Sequence, residues 1–275
     1  GQYVKKGEIV GYCGNSGRSA EPHLHFQIQA TPLVGSRTLD FPLGYYWKRS
    51  RSQYELCQYD KPKKGDYVSN LIQTTLLQSA FIFLPGQKLI FDVTNQDNRV
   101  YRVEWEVTVD AWNQSYLYCS KTQSKAYFYN DGLIHYFRNF EGNRRSALFY
   151  FFLALYKVPL EFKPQVIIKD HFAPHHLTPS IIRFWIDFVA PFFTLFESEY
   201  ELTYQNIDSL IATRQMSLVA SSKLRIGSKV LQNLKMQTTI TSKGIQRITV
   251  NSTFIKNMFN SLFFGAQLKQ LDVCI

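Results

Sequence analysis

The stretch "GNSGRSAEPHLHFQIQ", residues 14–29, decides how the first part of this chain is read. In HLHFQIQ (23–29), positions 24, 26 and 28 are apolar, whereas 23, 25, 27 and 29 are polar. Alternation with a period of two predicts a strand with one buried and one polar face, so His23 and His25 share a face. A neutral imidazole is a good zinc ligand, and a second one beside it can carry protons. A His-x-His pair alone describes two exposed strand histidines equally well. The glycine-rich loop before the strand fixes how it is entered. Upstream, Val4 and the pair Ile9-Val10 flank a Lys-Lys-Gly turn, which predicts a tight hairpin.

The longer string is far more specific. Written as V-KKGEIVGYCGNSGRS-PHLHFQI, it closely resembles the final segment of the lysostaphin/LytM-like zinc metallopeptidases. The agreement covers Val4, Gly7, Val10-Gly11, Gly14, Ser16-Gly17, Ser19 and Pro22 to Phe26. The resemblance implies the end of an antiparallel β peptidase domain that hydrolyses peptide bonds, usually in peptidoglycan cross-links. It implies zinc as cofactor, with His25 as a metal ligand and His23 as the catalytic histidine that helps activate the metal-bound water. In that family two further ligands come from an upstream HxxxD motif, and another catalytic histidine also lies upstream. The sequence starts after all three positions, so it is expected to supply one ligand and one helper and to be inactive by itself. Gln27 stands where the family often has Glu.

The partners implied by the resemblance are peptidoglycan peptides, in the bacterial periplasm or at the cell surface. Nucleic acid is not expected, and membrane association is left to sequence upstream. A non-enzymatic alternative is a degenerate LytM-like protein that binds or regulates without cleaving. An intact upstream HxxxD separates the two.

Other candidate chemistry is weaker. KDHFAPHHLTP (169–179) offers Asp170, His171, His175 and His176, but Pro174 breaks the helical spacing of His171 and His175. That segment reads as a surface loop in which His175 and His176 diverge. His135, in LIHYF, reads as a strand histidine with a hydrogen-bond partner. Glu104 and Glu106 flank Trp105 on one strand face, a solvated face by the simplest reading. Cys13 reads as a small packed residue.

Composition bounds the rest. The 275 residues are 45% hydrophobic and 16% aromatic, enough for a real core and favourable to β structure. Lys and Arg outnumber Asp and Glu by 31 to 21. Residues 201–275 hold nine basic and three acidic side chains, spread along strand-like segments as a solvated basic face. Cys13, Cys57, Cys119 and Cys274 have no CxxC spacing and define no disulfide framework. Gly1 is followed by polar and charged residues rather than a leader, so the chain reads as a fragment or a processed product.

The fold class expected is mainly β: the end of a LytM-like antiparallel β domain over 1–31, a linker over 32–70, then a β-rich α+β domain over 71–275. A short helix is predicted within 71–84, and apolar helical segments near 146–158 and 179–200. ALFYFFLALY (147–156) is too short to span a bilayer, and the second segment is interrupted by Arg183, Asp187 and Pro191. Ser-Lys-Gly at 242–244 predicts a hairpin turn.

Overall fold

The computed structural model describes residues 2–5, 8–24, 26–50, 53–94, 99–164, 166–178, 196–206, 215–254 and 270–274. They fall into two units, residues 1–44 with 59–61, and residues 45–58 with 62–275.

Among its described residues the first unit holds one short ladder, β1 (Ile28–Gln29) against β2 (Thr38–Leu39), with Ile28 opposite Leu39. The strand expected over 23–29 is therefore confined to its last residues, with an isolated bridge between His23 and Gly14 upstream. Leu24 and Phe26 are 77% and 71% exposed. An alternating strand needs a second layer against its apolar face, and the described residues of this unit provide little beyond the edge of Phe41, 5.7 Å from Phe26. Of the predicted Lys-Lys-Gly turn, Lys6 and Gly7 lie outside the described residues; beside them Glu8 N donates to the Lys5 carbonyl at 3.0 Å and Lys5 N to Glu8 Oε2 at 2.8 Å. Its flanks, Val4 and Ile9-Val10, are exposed and form no ladder among the described residues.

A three-stranded antiparallel sheet in the order β4-β3-β5, from β3 (Leu43–Ser50), β4 (Gln53–Asp60) and β5 (Tyr67–Ser69), has most of its residues in the second unit. These strands occupy a segment read from sequence as a connection with little strand structure. Trp47 in β3 is fully buried.

Twelve strands make the main sheet. One meander runs β6 (Lys88–Thr94), β7 (Val100–Val109), β8 (Ser115–Cys119), β9 (Ser124–Asn130), β10 (Ile134–Glu141) and β11 (Lys157–Pro159). The other runs β12 (Ile167–Asp170), β13 (Phe196–Asn206), β14 (Met216–Ile226), β15 (Lys229–Thr241), β16 (Gly244–Phe254) and β17 (Gln270–Cys274). The order is β11-β10-β9-β8-β7-β6-β17-β16-β15-β14-β13-β12, antiparallel throughout, with β6 joined to β17 at Val93 and Val273. The predicted hairpin at Ser242 to Gly244 joins β15 to β16, with Gly244 at φ +100°.

This order forces the sheet to curl. Its edge strands β11 and β12 are separated in sequence only by residues 160–166. Such a link reaches at most about 27 Å. Twelve strands laid flat would put their edges about 50 Å apart. The edges therefore turn toward each other, and side chains close the seam. Tyr204 Oη donates to the Pro159 carbonyl at 2.7 Å, and Lys157 Nζ lies 2.6 Å from Asp170 Oδ2.

Among the described residues this unit also holds the helices α1 (Thr75–Ala80) and α2 (Ala147–Ala154), with a 3-10 turn over Pro174–His176. All eight residues of α2 are buried. A helix apolar on every side has no solvent face, so it belongs inside the sheet. It packs on β9, β10, β14, β15 and β16. Phe151 sets its ring 5.0 Å from Trp105, 5.6 Å from Phe91 and 6.1 Å from Phe137, filling the interior. Ser146 caps the helix, its side chain accepting from Phe149 N at 3.3 Å.

The mainly β class with an apolar helical insertion is thus present. Of the helix expected over 179–200, residues 179–195 lie outside those described, and 196–200 open strand β13 instead. There Ser198 and Tyr200 point inward while Glu199 reaches Arg225 at 3.2 Å. Alternation overrides the apolar run that precedes it. No helix among the described residues is long and apolar enough to cross a membrane.

Candidate functional site

His23 sits where the glycine-rich loop returns on itself. Its backbone N–H donates to the Gly14 carbonyl at 3.3 Å, which brings the loop's two ends together. Its Nδ1 lies 2.8 Å from the Glu21 carbonyl and 2.9 Å from Ser19 Oγ. Ser19 Oγ itself donates to that carbonyl at 2.7 Å. A carbonyl oxygen only accepts, so Nδ1 carries the proton, and in the neutral ring Nε2 is the basic nitrogen. The backbone thus fixes both tautomer and ring direction, as backbone carbonyls do for functional histidines. Gly17, at φ +84°, lets the loop turn between Ser16 and Arg18.

His25 lies outside the described residues. A catalytic zinc takes three protein donors and keeps a position open. Among the described residues no three His, Cys, Asp or Glu side chains gather in a way that could hold a metal. The described residues therefore do not fit a zinc ion by themselves.

The downstream histidines take separate roles. His171 is exposed, with Nδ1 2.8 Å from the Ser198 carbonyl. His175 and His176 do not diverge as expected: the 3-10 turn brings their rings to 4.3 Å. His176 is buried and meets Phe152 at 5.2 Å, while the His175 carbonyl accepts from Arg144 Nη1. Glu104 and Glu106 both face solvent on β7, and Lys88 pairs with Glu104 at 2.8 Å. Cys13 is exposed rather than packed.

His135 also departs from its reading. It is fully buried, and neither ring nitrogen has a hydrogen-bond partner among the described residues. Phe81, Phe137, Phe83 and Phe128 surround it with ring centroids at 4.8, 5.0, 5.6 and 5.7 Å. Burial alone pushes the imidazole down to about 3.

Sequence reasoning passed over an open cleft of about 620 Å³ in the second unit, lined in part by Trp112 and Arg138. The only signal in the sequence was DAWN (110–113), a turn-forming string with a tryptophan at its centre.

Against known proteins, the family model described as Peptidase family M23 matches residues 1–37. That match identifies the N-terminal segment as a fragment of a LytM-like peptidase domain. No curated protein and no solved structure matches the chain.

Proposed function

We propose that this chain is part of a bacterial zinc metalloendopeptidase of the lysostaphin type, acting on peptidoglycan cross-links in the periplasm or at the cell surface. The match of residues 1–37 to the peptidase family carries the reading. The orientation of His23 supports it. With Nδ1–H committed to the Glu21 carbonyl, Nε2 is the nitrogen that takes a proton from a nucleophile and returns it to a leaving amine. His25 serves as one zinc ligand, with the other donors contributed from elsewhere in the complete peptidase domain. Zinc, when bound, supplies an acidified water and polarises the scissile carbonyl.

The test is elemental analysis and cross-link hydrolysis on the complete protein. His25→Ala should lower zinc content. His23→Ala should keep zinc and slow turnover by about 100-fold or more, the usual contribution of a positioned general base. Equal zinc in wild type and His25→Ala sinks the assignment. Binding of peptidoglycan without zinc or hydrolysis identifies a non-cleaving regulator instead.

A further inference from the structure

The cleft in the second unit is lined from α1 and the segment that follows it, the turn between β7 and β8, β9 and Arg138 of β10, among others. Its volume lies within the range of small-molecule sites. The turn holds Trp112 out into water, where the residue is 80% exposed. It does so rigidly. Asp110 Oδ1 accepts from Trp112 N at 2.9 Å and from Gln114 N at 2.8 Å. Asn113 N donates to the Asp110 carbonyl at 3.0 Å, and Asn113 itself sits at φ +60°, a left-handed position that asparagine tolerates. A large apolar ring held in solvent forgoes the stabilisation of burial. Nothing in the local turn geometry requires an indole there.

Tyr129 and Arg138 add a phenol ring and a cation to the lining. Tyr129 also pairs across β9 and β10 with Tyr136, which lies outside the lining, at 5.3 Å between ring centroids. The Arg138 guanidinium lies 4.8 Å from the first ring and 5.8 Å from the second. Arg138 has no carboxylate partner among the described residues. Gln78, Asn113 and Gln114, three carboxamide residues, also line the cleft. Phe81 and Phe83 line the apolar side.

We propose that this cleft binds an oligosaccharide. A pyranose ring presents an array of C–H groups on one face and hydroxyls around its rim. The first stacks on an exposed indole or phenol face, whose π-cloud is electron-rich. The second suits carboxamides, each of which offers a donor and an acceptor in one plane, and a guanidinium fork with five donors. The lining brings one cation and no carboxylate, so it is matched to a neutral or acidic ligand rather than a basic peptide. This inference rests on the cleft alone and is independent of the peptidase reading.

The experiment is calorimetric titration of the whole chain with chitotetraose, with cellotetraose and with a proline-rich peptide as the competing class. Saturable binding of either tetrasaccharide is expected, weakened at least about tenfold by Trp112→Ala and less by Trp112→Phe. Arg138→Gln should weaken it in the same direction. Because Trp112 is exposed, Trp112→Ala should leave the melting temperature unchanged, which separates a binding role from a structural one. Failure of both sugars to bind, equal binding in Trp112→Ala, or a Trp112-dependent preference for the peptide each overturns the proposal.

Discussion

The indole N–H of Trp47 donates to Glu161 Oε2 at 2.6 Å, across 114 positions of sequence. The same oxygen accepts from Ile72 N at 2.9 Å, while Lys163 Nζ lies 3.3 Å from Oε1. Lys163 also stands over the rings of Trp47 and Tyr54 at 5.1 and 4.2 Å. One buried carboxylate therefore fastens the three-stranded sheet to the link that joins the edges of the large one.

Glu161→Ala leaves three donors, the buried Trp47 indole N–H, Ile72 N–H and the Lys163 ammonium, without their acceptor. The expected loss is about 3 kcal/mol, since an unmade hydrogen bond to a buried group costs its full desolvation. Glu161→Gln keeps an acceptor oxygen and should cost about 1 kcal/mol. Urea midpoints at constant slope measure both. Equal losses in the two variants would mean that packing, not the acceptor, makes the contact.

Gly142 is held by its surroundings. It sits at φ +103°, and a Cβ placed on it would lie 2.7 Å from the Gln123 carbonyl oxygen and from Ser124 Cα. Both atoms are backbone and cannot swing aside. Gly142→Ala should therefore cost about 3 kcal/mol or more, combining left-handed strain with a backbone clash. Gly227, at φ +53° with nothing near its would-be Cβ, is the control. Gly227→Ala should cost only about 1 kcal/mol. Thermal unfolding of the two variants side by side decides whether the close approach is real.

Much of this could be read from sequence and some could not. Helix α2 was legible because eight consecutive apolar residues leave no solvent face. The β15–β16 hairpin was legible because Gly244 supplies the positive φ that its turn requires. The strands within 32–70 were not, because Trp47 finds its partner at Glu161, a relation no local window contains. The apolar run before β13 spoke for helix, whereas Glu197 and Glu199, alternating with Ser198 and Tyr200, spoke for strand. At the candidate site the motif located His23, but its tautomer depends on the Glu21 carbonyl, a backbone atom invisible to residue patterns. The cleft was hidden for the same reason as Trp47: its walls come from elements scattered between residues 78 and 160.

His135 makes stability depend on pH. Its folded value of about 3 lies below the ordinary imidazole value of 6.5. The neutral form is therefore the one the fold accepts, and its contribution is fully present above pH 6.5. As pH falls the unfolded chain takes up a proton that the folded chain refuses, so stability is lost progressively down to about pH 3. At pH 5 the loss from this group is about 2 kcal/mol. His135→Leu removes both the titration and two buried nitrogens that have no partner among the described residues. It should raise stability at pH 7 by about 1–3 kcal/mol and flatten the difference in acid sensitivity from wild type. Lower stability of the variant at pH 7 would show that the ring nitrogens are satisfied after all.

The seam between β11 and β12 offers the last test. No backbone ladder joins these edges among the described residues, so closure rests on side chains such as the Lys157–Asp170 pair. Lys157 Nζ also donates to Gln58 Oε1 at 2.7 Å, and Asp170 Oδ1 accepts from His171 N at 2.7 Å. The pair is partly shielded, at 12% and 31% side-chain exposure, so its worth exceeds that of a surface ion pair. Asp170→Asn keeps the Oδ1 bond while removing the charge, and should cost about 1–2 kcal/mol. The loss should be local. Amide exchange in β11 and β12 should quicken, while β14 to β16, paired on both sides, stay protected. Salt adds a discriminating arm: raising ionic strength should narrow the gap between wild type and variant if Coulomb attraction closes the seam. Exchange that quickens equally in every strand would assign the closure to the Tyr204–Pro159 bond and the buried aromatic filling instead.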